Sequence, residues 1–149
     1  MSLYGIFDIA GSGMSAQSIR LNTTASNLAN AQSVSSSVDE TYKARHPVFA
    51  ATMANAFGSG FGSGFGTDPS EGSSAGVQVL GIVEDNAPYQ MRYEPHHPMA
   101  NEEGYVAYPN VNVVEEMTNM ISSSRSFQIN VEVMNTAKTM MQRVLSLGQ

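Results

Sequence analysis

The sequence predicts a mainly α protein: long N- and C-terminal helices paired as a coiled coil, with a small β and loop region between them. Three observations carry that expectation. Apolar residues recur in alternating steps of four and three from Leu3 to Leu28, the spacing that holds one seam of a helix against a partner. The same spacing returns from Val113 to Leu145. Between them, short β-branched and aromatic runs are broken by glycine-rich and polar stretches, the texture of short strands and turns.

The first element, within residues 1–31, has its seam at Leu3, Phe7, Ala10, Met14, Gln17, Leu21, Thr24 and Leu28, flanked by Ile6, Ile9 and Ile19. Ser2 is placed to cap its start, and Asn27 to Asn30 to stop it. Only Asp8 and Arg20 are charged between Leu3 and Asn30; the other polar positions are mostly Ser, Thr, Asn and Gln. A solvated helix normally carries Lys and Glu, whereas small uncharged residues permit close backbone approach. This face is therefore expected to be buried between subunits. Gly11 and Gly13 cost the helix about 1 kcal/mol each relative to alanine. Such a helix is marginal alone, so both chain ends are expected to be poorly ordered in the free monomer and to fold on assembly.

Residues 32–110 form the β and loop region. Ala31 to Thr41 is small and polar, a loop; Tyr42 to Met53, Val77 to Val83 and Tyr89 to Tyr93 read as strands of a small sheet or hairpin. Between the first two lies a Phe-Gly-Ser-Gly repeat over residues 57–67. Its glycine and serine content fits a flexible linker. Its regularly spaced aromatics, Phe57, Phe61 and Phe65, fit anchors inserted into pockets on neighbouring subunits. No Lys-Ser or Lys-Thr follows the glycines and no strand–loop–helix context surrounds them, which argues against a phosphate cradle.

The last element, within residues 111–149, is the more strongly marked helix. Pro109 ends preceding structure, Asn112 with Glu115 has the form of a capping box, and Gly148 follows the last periodic leucine. At ~1.5 Å per residue it is about 50 Å long. Its seam runs through Val113, Met117, Met120, Ser124, Phe127, Val131, Met134, Lys138, Met141 and Leu145. A second row, Ile129, Val133, Met140, Val144 and Leu147, makes the apolar face wider than one two-helix seam requires. More than one neighbour is implied. The helical spacing of Met117, Met120, Met134, Met140 and Met141 assigns them to a packing stripe whose flexibility suits non-identical neighbours.

Composition narrows the function. Charged residues are 13% of the 149-residue chain, against about 25% in an ordinary domain. A net charge of −6 and seven scattered Lys and Arg residues leave no basic patch for nucleic acid or anionic lipid. There is no cysteine, hence no disulfide, thiolate nucleophile or zinc–thiolate site. No cleavable secretory signal and no membrane-length apolar run is visible. His96 and His97, beside Glu94 and between Pro95 and Pro98, offer metal-ligand chemistry without further ligands, and read as a solvated loop. His46 and the acidic pairs Glu84-Asp85 and Glu102-Glu103 likewise read as structural or surface residues. No catalytic residue, cofactor, metal or small-molecule substrate is expected, and the chain is read as not an enzyme.

One resemblance is specific. Ser26-Asn27-Leu28-Ala29-Asn30 closing the first helix, Gly104-Tyr105-Val106 leading to Tyr108-Pro109-Asn110-Val111-Asn112-Val113, then Glu116-Met117, Met120 and Arg125-Ser126-Phe127-Gln128-Ile129-Asn130 resemble the bacterial flagellar rod, hook and axial protein family, nearest its proximal rod subunits. The match extends over both chain ends and most of the region between; the Phe-Gly-Ser-Gly repeat is not part of it. The resemblance implies a non-enzymatic axial subunit of the basal-body rod, exported without a cleavable signal through the flagellar type III apparatus. It implies polymerisation through the terminal helices, in the periplasm, into a shaft that transmits motor torque. Partners would be other rod subunits, neighbouring basal-body proteins and the export apparatus. Interface residues would be Leu3, Phe7, Met14, Leu21 and Leu28 on the first helix, and Val113, Met117, Met120, Phe127, Val131, Met134, Met141 and Leu145 on the second. The alternative from another class is a secreted coiled-coil binding module, an adhesin or secretion-system effector, that binds its target through residues 42–100.

Overall fold

The computed structural model describes residues 3–35, 40–52 and 76–147. Helix α1 spans Leu3–Asn30 and helix α2 spans Val113–Leu147. Four strands lie between them in chain order: β1 (Arg45–Thr52), β2 (Gly76–Glu84), β3 (Gln90–Tyr93) and β4 (Tyr105–Tyr108). They form two two-stranded sheets, β1 with β2 and β3 with β4. The expectation of two terminal helices around a small β region holds. The expected cap at Ser2 and the anchors Phe57, Phe61 and Phe65 lie outside the described residues, as does the side chain of Leu3.

The helix ends have local causes. Asn112 Oδ1 accepts the Val114 N–H at 3.2 Å while its carbonyl accepts the Glu116 N–H at 3.0 Å, so Asn112 is the N-cap of α2. Glu115 and Glu116 in the first turn complement the positive end of the helix dipole. At the end of α1, Asn30 Nδ2 donates to the Ser26 carbonyl at 2.8 Å, and both the backbone N–H and the hydroxyl of Ser33 donate to the Asn30 carbonyl. The Ser33 bonds occupy a carbonyl that the helix end leaves without a partner.

The chain divides into two compact units. The first comprises Met1–Ser18, Phe49–Leu80 and Arg125–Gln149. Here a Cβ added to Gly13 would stand 2.9 Å from Asn130 Nδ2, and Ile6 borders Val133, Thr136, Ala137 and Met140. Moving forward along α1 thus means moving back along α2, and the two segments run antiparallel. Ser12 Oγ accepts the Val77 N–H at 3.1 Å, fixing the start of β2 to α1.

The second unit comprises Ile19–Val48 and Gly81–Ser124. Arg20 Nη2 donates to Asn119 Oδ1 at 3.1 Å, joining α1 to α2. β3 and β4 are antiparallel, with Gln90 opposite Tyr108 and Tyr93 opposite Tyr105. Ser35 bridges to Ala107 from the other side, so β4 lies between two neighbours and Val106 is fully buried. Gly104, at φ +82°, makes the turn into β4; a side chain there would be strained.

The apolar core among the described residues is built of small side chains: Ala10, Ala16, Ala44, Val106, Ala107, Val111 and Ala137 are buried. The helices meet at Gly13 with Asn130 and at Arg20 with Asn119, and the buried positions on that side, the contact line, are Ala10, Ala16, Thr23, Thr24 and Asn27 on α1 and Glu116, Ser123 and Ala137 on α2. The large apolar residues flank this line instead of forming it. Small side chains let helices approach closely, but each buries little area at about 25 cal/mol per Å².

Candidate functional site

The asparagines of the two sequence motifs turn out to be clamps. Asn27 is completely buried. Its Oδ1 accepts the Tyr42 hydroxyl at 2.8 Å and the Arg45 N–H at 2.9 Å, while Nδ2 donates to the Arg45 carbonyl at 2.8 Å. One amide side chain thereby reads both backbone polar groups of the first residue of β1, as a neighbouring strand would. Asn110 does the same work from the other side: Oδ1 accepts the Ala44 N–H at 2.8 Å, and Nδ2 donates to the Ala87 and Asp85 carbonyls at 3.2 and 3.4 Å. Together they tie the start of β1 to α1 and to the segment before α2. The sequence marked these residues as motif members but not as clamps; the signal within it was amide side chains, able to donate and accept at once, at the ends of two helices.

The residues with chemical potential are occupied in turns. His97 Nδ1 accepts the Met99 N–H at 3.1 Å, and Glu94 accepts the Tyr108 hydroxyl at 3.3 Å. Asp85 Oδ1 accepts the Ala87 N–H at 3.0 Å. Glu84 pairs with Arg45 at 3.1 Å, with both side chains about half exposed, and such a pair contributes little. His46, His96, Glu102 and Glu103 are exposed. Among the described residues no three His, Asp or Glu side chains are grouped to hold a metal ion.

What remains is surface. Of the expected interface residues, Phe7, Met14, Leu21 and Leu28 on α1, and Met120, Phe127, Val131, Met134 and Met141 on α2, are half-buried within the single chain. Val113, Met117 and Leu145 are exposed. The second apolar row of α2 is exposed throughout, from Val133 at 43% to Leu147 at 87%. On α1 the side turned from the contact line carries Asp8, Ser15, Ser18, Asn22, Ala25 and Ala29, all exposed. One helix thus presents a large apolar face and the other a small, nearly uncharged one. Exposed apolar area on this scale marks an interaction surface.

Comparison with known proteins bears on both helices. Residues 7–34 match the model described as flagella basal body rod protein, and residues 102–147 the one described as flagellar basal body rod FlgEFG protein C-terminal. The chain is 46% identical to the flagellar basal-body rod protein FlgC of Salmonella typhimurium and 47% identical to that of Escherichia coli O6:H1, each over all of both chains. It is 33% identical to FlgC of Borreliella burgdorferi, over all of this chain and 99% of that one.

Proposed function

The chain belongs to the flagellar basal-body rod protein family, of the FlgC kind, and on that premise we propose that it is a structural subunit of the proximal rod which polymerises through α1 and α2. The observation that carries the assembly reading is the outward apolar row of α2 beside a core of small side chains: a chain that buries so little large apolar surface within itself gains it by packing against neighbours. Other rod components are its partners, and the rod of the basal body its location. Export through the flagellar apparatus and passage of the shaft through the periplasm are part of the proposal. A shaft that transmits torque must resist twisting, and long overlapping helices spread load over many close-packed contacts. The half-buried residues from Phe7 to Leu28 and from Met120 to Met141 are the proposed coiled-coil seam. The phenylalanines of the repeat are proposed to anchor on neighbouring subunits.

Full-length similarity to rod proteins supports this reading over a secreted binding module. The test is incorporation. Basal bodies purified from the source cells should contain the chain, and Met134→Asp should reduce its incorporation and abolish swimming. Basal bodies lacking the unmodified chain would overturn the assignment.

A further inference from the structure

Resting on the reading that α1 and α2 assemble, the geometry points to which faces meet: we propose that the outward row of α2 is covered by the outward face of α1 from a second copy of this chain, running antiparallel.

On α2, Ile129, Val133 and Met140, all well exposed, line an open and largely apolar groove with Ile6, Glu132, Thr136 and Ala137. Arg143 flanks this row, three residues from Met140 and four from Leu147 on the same helix face. On α1, the face opposite the contact line carries Asp8, Gly11, Ser15 and Ser18. A Cβ built on Gly11 meets nothing within 4 Å, so the helix surface there is a hollow.

The two faces fit in spacing, size and charge. From Asp8 the α1 face advances by three, four and three residues to Gly11, Ser15 and Ser18; from Arg143 the α2 face steps back by three, four and three to Met140, Thr136 and Val133. In that register Met140 stands over the Gly11 hollow and Val133 over Ser18, knob against hole. Asp8 meets Arg143. Neither has an ion-pair partner among the described residues, and Asp8 is the only acidic residue of α1. Because the two faces are different surfaces of one chain, the same pairing can repeat from copy to copy as an open helical array. A rod requires that geometry.

The absence of native cysteine makes disulfide crosslinking unambiguous. Cells co-expressing Ser15→Cys and Thr136→Cys chains, distinguished by size, should yield basal bodies in which mild oxidation gives the mixed dimer, with little dimer from either variant alone. Crosslinking of Ser15→Cys to itself, or none in any combination, overturns the pairing. Gly11→Leu provides a second readout, because it fills the hollow from a position whose Cβ meets nothing within 4 Å. Helicity of the free chain should be unchanged or higher, and incorporation at least tenfold lower. Asp8→Arg and Arg143→Asp should each reduce incorporation roughly fivefold, the double variant recovering most of it; a double variant worse than either single one contradicts the register. If Met134→Asp blocks incorporation while Gly11→Leu and both charge reversals do not, assembly through the helices stands and this pairing of faces falls.

Discussion

Asn27→Ala is expected to release the start of β1 from α1. The side chain makes three hydrogen bonds of 2.8 to 2.9 Å in a fully buried position. At a net value of about 1 kcal/mol each they contribute about 3 kcal/mol, and removing them takes away the partners of the Arg45 N–H and C=O. Alanine is the better helix former by about 0.7 kcal/mol, which offsets part of the loss. The balance, about 2.3 kcal/mol, corresponds to a roughly fiftyfold rise in local opening. Hydrogen exchange at the Arg45 amide reads that opening directly, whether the chain is free or assembled. Asn27→Asp keeps the acceptor for Tyr42 and the Arg45 N–H but sets an oxygen against the Arg45 carbonyl, so it should fail almost as badly despite its near-identical shape. Tyr42→Phe deletes one bond of the three and should raise exchange only about fivefold. Protection at Arg45 within a factor of three of the unmodified protein in Asn27→Ala would refute the clamp.

Three further outcomes are expected. Asn112→Ala removes the cap on α2 and should cost about 1 kcal/mol, seen as faster exchange at the Val114 amide with no change beyond the first turn. Gly11→Ala should raise the helicity of the free chain, since its Cβ meets no atom and alanine is worth about 1 kcal/mol over glycine in a helix; Gly13→Val should raise it less, because valine is the weaker helix former and its Cβ would sit 2.9 Å from Asn130 Nδ2, and circular dichroism distinguishes the two. Phe127→Asp introduces a charge at a half-buried position that assembly would desolvate further, so motility should be lost while the chain still reaches the export pathway; swimming at normal speed would contradict the seam.

How much of this was legible in the sequence depends on the range of the cause. Both helices were readable because their signals are local: the seam spacing, the Asn112 cap, the Asn27 to Asn30 stop and the proline at 109. β1, β2 and β3 were visible as β-branched and aromatic runs. β4 was not, although Tyr105-Val106-Ala107-Tyr108 sits between Gly104 and Pro109 as a strand should. Four residues carry too little pattern, and what makes them a strand is pairing with Gln90–Tyr93 on one side and Ser35 on the other. The clamps formed by Asn27 and Asn110 are likewise contacts between residues distant in sequence. The periodicity assigned the seam to large apolar residues, whereas the positions most buried on the helices of the single chain are Ala, Thr, Ser, Asn and Glu. Periodicity reports which side of a helix avoids water, not which positions one chain buries by itself.

The central claim, assembly through the terminal helices, is tested most directly by a cryo-EM map of the assembled basal body. The account predicts that the wall of the rod nearest its axis is built of α1 and α2 from successive copies and neighbouring subunits, with the α2 row from Ile129 to Leu147 covered by a helix of another subunit. A map in which that row faces solvent, and subunits touch only through the segments between the helices, would contradict it.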